Sequence, residues 1–165
     1  RLGFEPERLE RLRWAALIHD VGKVAVPAEL LHKPDSLTDD EYRRMVRHMR
    51  VVEDVLAGVD FLAPMVGIAA AHHALLDGSA DVAVEGRLLA AADAFDAMTS
   101  TRSYRSAVTQ RTAFDQLRHR REVYGVDVIE ALIAAIEMSG EVYGSPDDES
   151  AAVVERLVRE RAIRA

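Results

Sequence analysis

Leu17-Ile18-His19-Asp20-Val21-Gly22-Lys23 is the stretch around which the rest of the chain is organised, because it places a histidine and an aspartate side by side at the end of an apolar helix. Upstream, Pro6 suits the first turn of that helix, and apolar residues at steps of three and four predict that it ends near Asp20, with His19 on its inner stripe. A carboxylate buried without a partner is costly, so Asp20 requires a cation or a donor nearby. Taken alone, the pair fits two interpretations equally: metal ligands, or a hydrogen-bonded histidine beside an aspartate that caps the next turn.

The composition describes one helical domain. The chain has 165 residues, of which 49% are hydrophobic, and this is enough for a single compact core. Aromatic residues make up only 5% of the chain, while alanine, leucine and valine abound. This balance favours helices packed on helices over a sandwich of β-strands, so we expect an all-α fold.

Charge and residue types narrow the possible partners. A net charge of −7 argues against duplex nucleic acid or an anionic membrane surface as a partner. The chain has no cysteine, so any metal must be bound by histidine and carboxylate, and a cytoplasmic location is expected. No apolar run reaches the roughly 18 residues of a membrane span. Because the chain begins at Arg1 rather than methionine, we expect it to be a piece of a longer protein with a sensory or regulatory domain upstream.

A second helix is expected around His48. Thr38 with Glu41 fits a capping box, and one apolar stripe then runs from Tyr42 to Leu56 with His48 beside it. This pattern predicts one continuous helix that turns His48 toward the interior.

Two further helices carry residues of the same chemical types. A nearly all-apolar helix, which such a composition predicts to be buried, ends on His72 and His73. The helix at 87–100 carries Asp93 and Asp96 on the flanks of its inward stripe. Asp93 is thereby placed beside the interior.

The rest of the chain is also helical. Helices are predicted at 109–124 and, capped by Asp127, at 127–139. We divide the chain into a domain at 1–140 and a linker with a C-terminal amphipathic helix at 141–165. That last helix could pack on the bundle or support a homodimer.

These helices deliver metal-binding side chains from separate parts of the chain. The candidates besides His19 and Asp20 are His48, His72, His73 and Asp93. Converging histidines and aspartates would be unfavourable without a cation, whereas a pair of divalent ions would satisfy them together. Imidazole and carboxylate suit iron, manganese or zinc. Two metals need a bridging carboxylate, for which Asp20 is the candidate, and can activate a water for phosphoryl transfer, while Lys23 can stabilise charge on a phosphate.

Three runs of the sequence resemble the HD-GYP branch of the HD phosphohydrolase superfamily. They are "LIHDVGKVAVPAELLHKPDSLTDDEYRRMVRH", "AAHHALLDGS" and "LLAAADAFDAMTSTRSYRSAVT", in the order that the family has them. The likeness covers about positions 9 to 135. It includes the HD-x-G-K motif, a lone downstream histidine, an HH pair and the D-x-x-D-A-x-T-S-x-R-x-Y-R run.

The resemblance implies a helical bundle around two or three divalent metal ions, often iron or manganese. It also implies hydrolysis of the bacterial second messenger cyclic di-GMP. The ligands it implies by matching residue are His19, Asp20, His48, His72, His73 and Asp93. Lys23 would contact the region of the scissile phosphate, and Arg102 with Arg105 would hold the phosphates of the dinucleotide, although a solvated surface pair is the alternative for these arginines. Asp96 is expected to cap or orient a neighbour.

The chain departs from the family pattern at three places. The family's upstream histidine would lie before Arg1. The motif H-H-E-x-x-D-G-x-G-Y-P is here "HHALLDGSADVAVEG", with Ala74 in place of glutamate and no Gly-Tyr-Pro. Val52 stands where glycine is common. Two other functions therefore remain open: a sensor or adaptor that binds a nucleotide or a partner protein without turnover, and an HD phosphohydrolase acting on another phosphoester.

Overall fold

The computed structural model describes residues 2–31, 33, 35, 38–56, 58–76, 82–101 and 106–145, and these residues form a helical bundle. Its α-helices are α1 Pro6–Ile18, α2 Ala28–Leu31, α3 Asp39–Val46, α4 His48–Leu56, α5 Ala63–Leu76, α6 Val84–Thr99, α7 Gln110–His119, α8 Arg121–Tyr124 and α9 Val126–Ser139. Short 3-10 turns lie at Val21–Ala25 and Asp60–Leu62. Within the described residues, β-type pairing is limited to an isolated bridge between Thr109 and Gly144. The all-α prediction is confirmed.

Helix α6 lies at the centre of the bundle and packs against α1, α5, α7, α8 and α9. The larger core cluster joins α5 to α9 and includes Phe95, Leu117 and Ile129, each almost fully buried. A smaller cluster, which includes Leu12 and Leu89, fixes α1 against α5 and α6. Burial of these apolar faces holds the ends of α1 and α5 next to the middle of α6.

The predicted helix after Thr38 is two helices. Its capping box is present, since the Thr38 side chain accepts the Glu41 N–H and Glu41 accepts the Thr38 N–H. The single helix was wrong, because α3 ends at Val46 and α4 begins at His48. At the break, the Met45 carbonyl accepts the backbone N–H of Arg47 and an N–H from the His48 ring. Tyr42, expected in the inward stripe, is exposed.

Two predictions in the C-terminal half were also wrong in detail. The helix expected at 109–124 is interrupted at Arg120, whose N–H bonds to the Leu117 carbonyl three residues back and closes α7 with a tight turn. Helix α9 begins at Val126 after Gly125, so Asp127 lies in its first turn and does not cap it. The expected last helix lies outside the described residues.

The described chain ends against the bundle. Gly144 pairs with Thr109, and the Tyr143 ring meets Phe95 edge to face at 5.6 Å. None of the helices in the described ranges is long and apolar enough to cross a membrane.

Candidate metal centre

Four structural elements bring the six predicted ligand residues together. His19 and Asp20 follow α1, His48 begins α4, His72 and His73 lie on α5, and Asp93 lies on α6.

Asp20 and Asp93 lie between the imidazoles. His19 Nε2 is 3.4 Å from Asp20 Oδ2 and 3.9 Å from Asp93 Oδ1. On the other side, His48 Nε2 is 3.9 Å from Asp20 Oδ1. Asp20 therefore stands between two histidines from different helices, as a bridging carboxylate would.

The four imidazoles form a continuous row. The ring centroids of His19 and His72 are 5.3 Å apart, those of His72 and His73 are 3.9 Å apart, and those of His73 and His48 are 4.9 Å apart. His48 and His72 are almost fully buried, with 3% and 1% of their surface exposed. The convergence predicted from the sequence is present in the structure.

Backbone carbonyls fix the orientation of three rings. His19 Nδ1 lies 2.8 Å from the Ala16 carbonyl and His48 Nδ1 lies 2.6 Å from the Met45 carbonyl. His72 Nδ1 bonds to the Ala69 carbonyl in the same way. A carbonyl only accepts, so each Nδ1 carries the hydrogen, and the neutral ring keeps a lone pair on Nε2. Metal-binding histidines are usually oriented in this manner.

Three of the imidazole Nε2 atoms make no hydrogen bond to the described protein groups. Among the described residues, the Nε2 atoms of His19, His48 and His73 are buried and make no hydrogen bond. Buried polar atoms are almost always paired, and an unpaired one calls for an explanation such as an ion. Two of them, on His19 and His48, lie 3.4 and 3.9 Å from Asp20, an arrangement that suits a bound cation.

The electrostatics favour neutral His72 and His73 beside an ionised Asp93. Burial lowers the pKa of His72. It also lowers the pKa of His73, to about 3, with the neighbouring His72 and His48 adding to the effect. Asp93 raises the pKa of His19, and His19 in turn lowers the pKa of Asp93. At neutral pH the cluster therefore offers neutral His72 and His73 with an Asp93 carboxylate, the forms in which these groups bind metals.

Lys23 contacts the centre through Asp20. Its ammonium lies 2.6 Å from Asp20 Oδ2, and the two side chains retain 38% and 40% of their exposure. The ammonium is thus held at the solvent side of the cluster, where it could also meet an anionic ligand.

Several predicted features lie beside or outside this geometry. Arg102, Arg105 and the altered loop at 77–81 lie outside the described residues. Asp96 is exposed, and its carboxylate accepts the Ser100 hydroxyl at 3.3 Å, in agreement with an orienting role. Ala74 packs, half-buried, against the larger core cluster.

Sequence reasoning missed the role of Gly22. A Cβ atom at this position would lie 2.0 Å from the His48 carbonyl oxygen and 2.9 Å from Val52 Cγ2. The backbone after Asp20 therefore packs directly on the first turn of α4, and Val52 fills the space beside it. The glycine could have been noticed as a site of close backbone approach, but its partner could not.

Within the described residues, no group of three His, Asp or Glu side chains is arranged to hold a metal ion as it stands. His19 and His48 lie near Asp20, and His19 also lies near Asp93. At metal–ligand distances of about 2.0–2.2 Å, two ligands of one ion lie roughly 3.0–3.5 Å apart. The His19–Asp20 pair, at 3.4 Å, already meets that spacing.

A family match and several curated relatives describe what the chain is similar to. Residues 1–128 match the family described as HD domain. The chain is 37% identical over 131 residues to the cyclic di-GMP phosphodiesterase response regulator RpfG of Xanthomonas campestris pv. campestris, an alignment that covers 73% of this chain and 35% of the relative. It is 29% identical over 159 residues to a cyclic di-GMP phosphodiesterase of Thermotoga maritima, covering 90% of this chain and 43% of the relative. It is 33% identical over 126 residues to 3'3'-cGAMP-specific phosphodiesterase 1 of Vibrio cholerae, covering 72% and 29% respectively. The chain thus spans less than half of the length of these relatives.

Proposed function

The chain belongs to the HD-domain family as a divergent member of its HD-GYP branch, and from this we propose that it is a metal-dependent phosphodiesterase that hydrolyses a cyclic dinucleotide. The observation that carries the proposal is a cluster of buried Nε2 atoms on His19, His48 and His73 that make no hydrogen bond among the described residues, the first two of which face Asp20. A purely structural histidine cluster would be expected to pair these nitrogens with protein groups.

Divalent metal binding is expected of this family, and the donor set fits it. We propose His19, Asp20, His48, His72, His73 and Asp93 as the ligands. Imidazole and carboxylate donors suit iron or manganese, and six ligands with a central carboxylate suit two ions or three. When bound, the ions would supply the activated nucleophile and neutralise charge on the phosphate.

The protein's own residues would complete the site. Lys23, held beside Asp20 at 2.6 Å, would direct its ammonium to a phosphate oxygen and stabilise the charge that develops there. The Nδ1 bonds of His19, His48 and His72 to carbonyls would keep the rings from turning away. Arg102 and Arg105 are proposed to hold the phosphates of the dinucleotide.

The proposed substrate is cyclic di-GMP, since relatives from two organisms carry that name, although another relative is named for 3'3'-cGAMP. We also propose a cytoplasmic location, because a bacterial second messenger would be met there. An upstream regulatory domain and a homodimer remain proposals for the whole protein.

A non-catalytic sensor is the second candidate, and one observation favours it. Ala74 removes the carboxylate that the family motif has beside His73, and it packs against the core instead. Such a protein would bind metal and nucleotide without turnover.

Metal analysis and hydrolysis assays on the full chain separate these functions. The wild type is expected to contain iron or manganese and to cleave cyclic di-GMP. Asp20→Asn keeps the shape of the side chain and should lose at least about tenfold in metal affinity along with most activity. Asp60→Asn, an exposed position on a 3-10 turn, is the matched control and should match the wild type. Metal binding without cleavage of any cyclic dinucleotide would favour the sensor, and cleavage of only a generic phosphodiester would overturn the substrate.

A further inference from the structure

A half-buried ion pair ties the segment after α2 to the helix that leads to His48. Lys33 Nζ lies 2.5 Å from Glu41 Oε2, and the two side chains retain 24% and 27% of their exposure. The same carboxylate oxygen accepts the Thr38 backbone N–H at 2.8 Å and the Thr38 hydroxyl at 3.0 Å. One carboxylate oxygen therefore accepts three hydrogen bonds. These bonds lower the pKa of Glu41 to about 2, and the bond from the Lys33 ammonium makes the largest contribution. Two of these bonds are local to the cap, whereas Lys33 comes from outside the helix.

Apolar burial contributes little to the placement of α3. Among its described side chains, only Glu41 and Met45 are partly buried, and the rest are exposed, including Tyr42. In contrast, Leu30 anchors the preceding α2 in the interior. The ion pair from Lys33 to Glu41 thus links an exposed helix to an anchored segment.

The end of α3 sets the ring of His48. The Met45 carbonyl, in the last turn of α3, receives the Nδ1–H of His48 at 2.6 Å. This bond leaves His48 Nε2 buried, unpaired and 3.9 Å from Asp20 Oδ1. Because α3 supplies that carbonyl, a rotation or shift of α3 would change the direction in which Nε2 points.

We propose that Lys33 is a positioning residue, whose ion pair with Glu41 fixes α3 so that the Met45 carbonyl holds the His48 ring with Nε2 toward Asp20. The 17–23 stretch meets α4 at Gly22, where the backbones touch, and the segment after α2 meets α3 at Lys33. The proposal rests on the proposed function only in taking His48 as a metal ligand.

The test compares Lys33→Met with a matched control on the same helix. Arg43→Met removes the exposed pair between Arg43 Nη1 and Asp40 Oδ1, also 2.5 Å, which stays within α3 and ties it to nothing else. In the metal-free full chain at pH 7.5, ¹⁵N NMR of the His48 ring reports whether Nδ1 carries the hydrogen. Manganese affinity of the same samples, measured by calorimetry, reports the consequence for the site.

Lys33→Met is expected to mix the two ring tautomers of His48 and to weaken manganese binding by about tenfold or more, the usual effect of losing an orienting partner. Arg43→Met and the charge-conserving Lys33→Arg should keep the wild-type tautomer and affinity. Glu41→Gln retains a capping-box residue while weakening the ion pair, so its tautomer mixing and its loss of manganese affinity should be smaller than those of Lys33→Met. This variant provides the test even if Lys33→Met folds poorly.

An unchanged His48 tautomer in Lys33→Met and in Glu41→Gln would overturn the proposal, as would an equal effect of Arg43→Met. A changed tautomer with unchanged manganese affinity would overturn the claim that the pair positions a ligand. If the wild type bound no manganese, the proposed function would fail, while the ring signal would still decide whether Lys33 orients His48.

Discussion

Substitution of Gly22 by alanine tests whether the backbone contact between the 17–23 stretch and α4 builds the centre. The new Cβ would lie 2.0 Å from the His48 carbonyl oxygen, 2.8 Å from the His48 carbonyl carbon and 2.9 Å from Val52 Cγ2. Two of these atoms belong to the backbone, so no side-chain rotation relieves them. The oxygen must retreat by about 1.4 Å to reach 3.4 Å, the lower limit of ordinary contact.

That displacement should affect stability and metal binding together. Overpacking of this kind costs about 1–3 kcal/mol, and a backbone clash belongs at the upper end, so we expect a loss of about 3 kcal/mol in the free energy of unfolding. For a domain of this size, the melting temperature should fall by roughly 6–12 °C. Because the clash falls on the residue whose Nε2 faces Asp20, manganese affinity measured well below the melting temperature should also decrease.

Gly67→Ala is the matched control for this substitution. Gly67 lies in α5, and a Cβ there meets nothing within 4 Å. Alanine in place of an exposed helical glycine should raise stability by about 0.5–1 kcal/mol. Urea unfolding of both variants, followed by circular dichroism, gives the comparison. If Gly22→Ala unfolded at the urea concentration of the wild type and kept its metal affinity, the close contact between Gly22 and the His48 carbonyl would be refuted.

Three further outcomes follow from burial and charge. In the metal-free protein, the pKa of His73 is about 3, so below pH 6.5 the unfolded state binds a proton that the folded state does not, and the free energy of unfolding should fall. The pKa of His19 is raised on folding, so its contribution to the free energy of unfolding is lost as pH rises through that pKa. Urea titrations from pH 5 to 8 should therefore show a maximum near neutrality that disappears when manganese is bound. Val52→Ala leaves a cavity at a fully buried site and should lower the free energy of unfolding, measured in urea, by about 2 kcal/mol. An unchanged free energy of unfolding would mean that the site is not tightly packed. Lys23→Gln releases Asp20 from an ion pair, so metal affinity should stay the same or rise while turnover falls. A loss of both metal affinity and turnover would contradict the proposal that Lys23 acts on the phosphate.

The sequence predicted the helices and the convergence of the ligands because both depend on apolar periodicity. His19, His48, His72 and Asp93 all follow or flank apolar stripes, and a stripe determines which side of a helix is buried. The break at Arg47 was not predictable in this way, since the stripe continues through it. It accompanies a bond between the His48 ring and the Met45 carbonyl, which depends on the same burial that brings His48 inward.

Contacts between distant segments were the second kind of feature that the sequence could not supply. The pairing of Lys33 with Glu41 was not predicted, because it depends on how the segment after α2 is placed against α3. The Gly22 contact likewise depends on where α4 begins. Periodicity describes one element at a time, whereas these contacts depend on the relative placement of two.

Positive groups lie next to the two carboxylates of the centre. Lys23 lies 2.6 Å from Asp20 Oδ2, and His19 lies between Asp20 and Asp93 with a raised pKa. A proton on His19, which Asp93 favours by raising the pKa of that ring, and the Lys23 ammonium would both offset the negative charge of the carboxylates. A divalent ion would supply the same positive charge at the same place, so it competes with the proton on His19 and with Lys23 for the carboxylate. Metal affinity should therefore increase with pH through the raised pKa of His19, and binding should leave the Lys23 ammonium available to an anionic substrate.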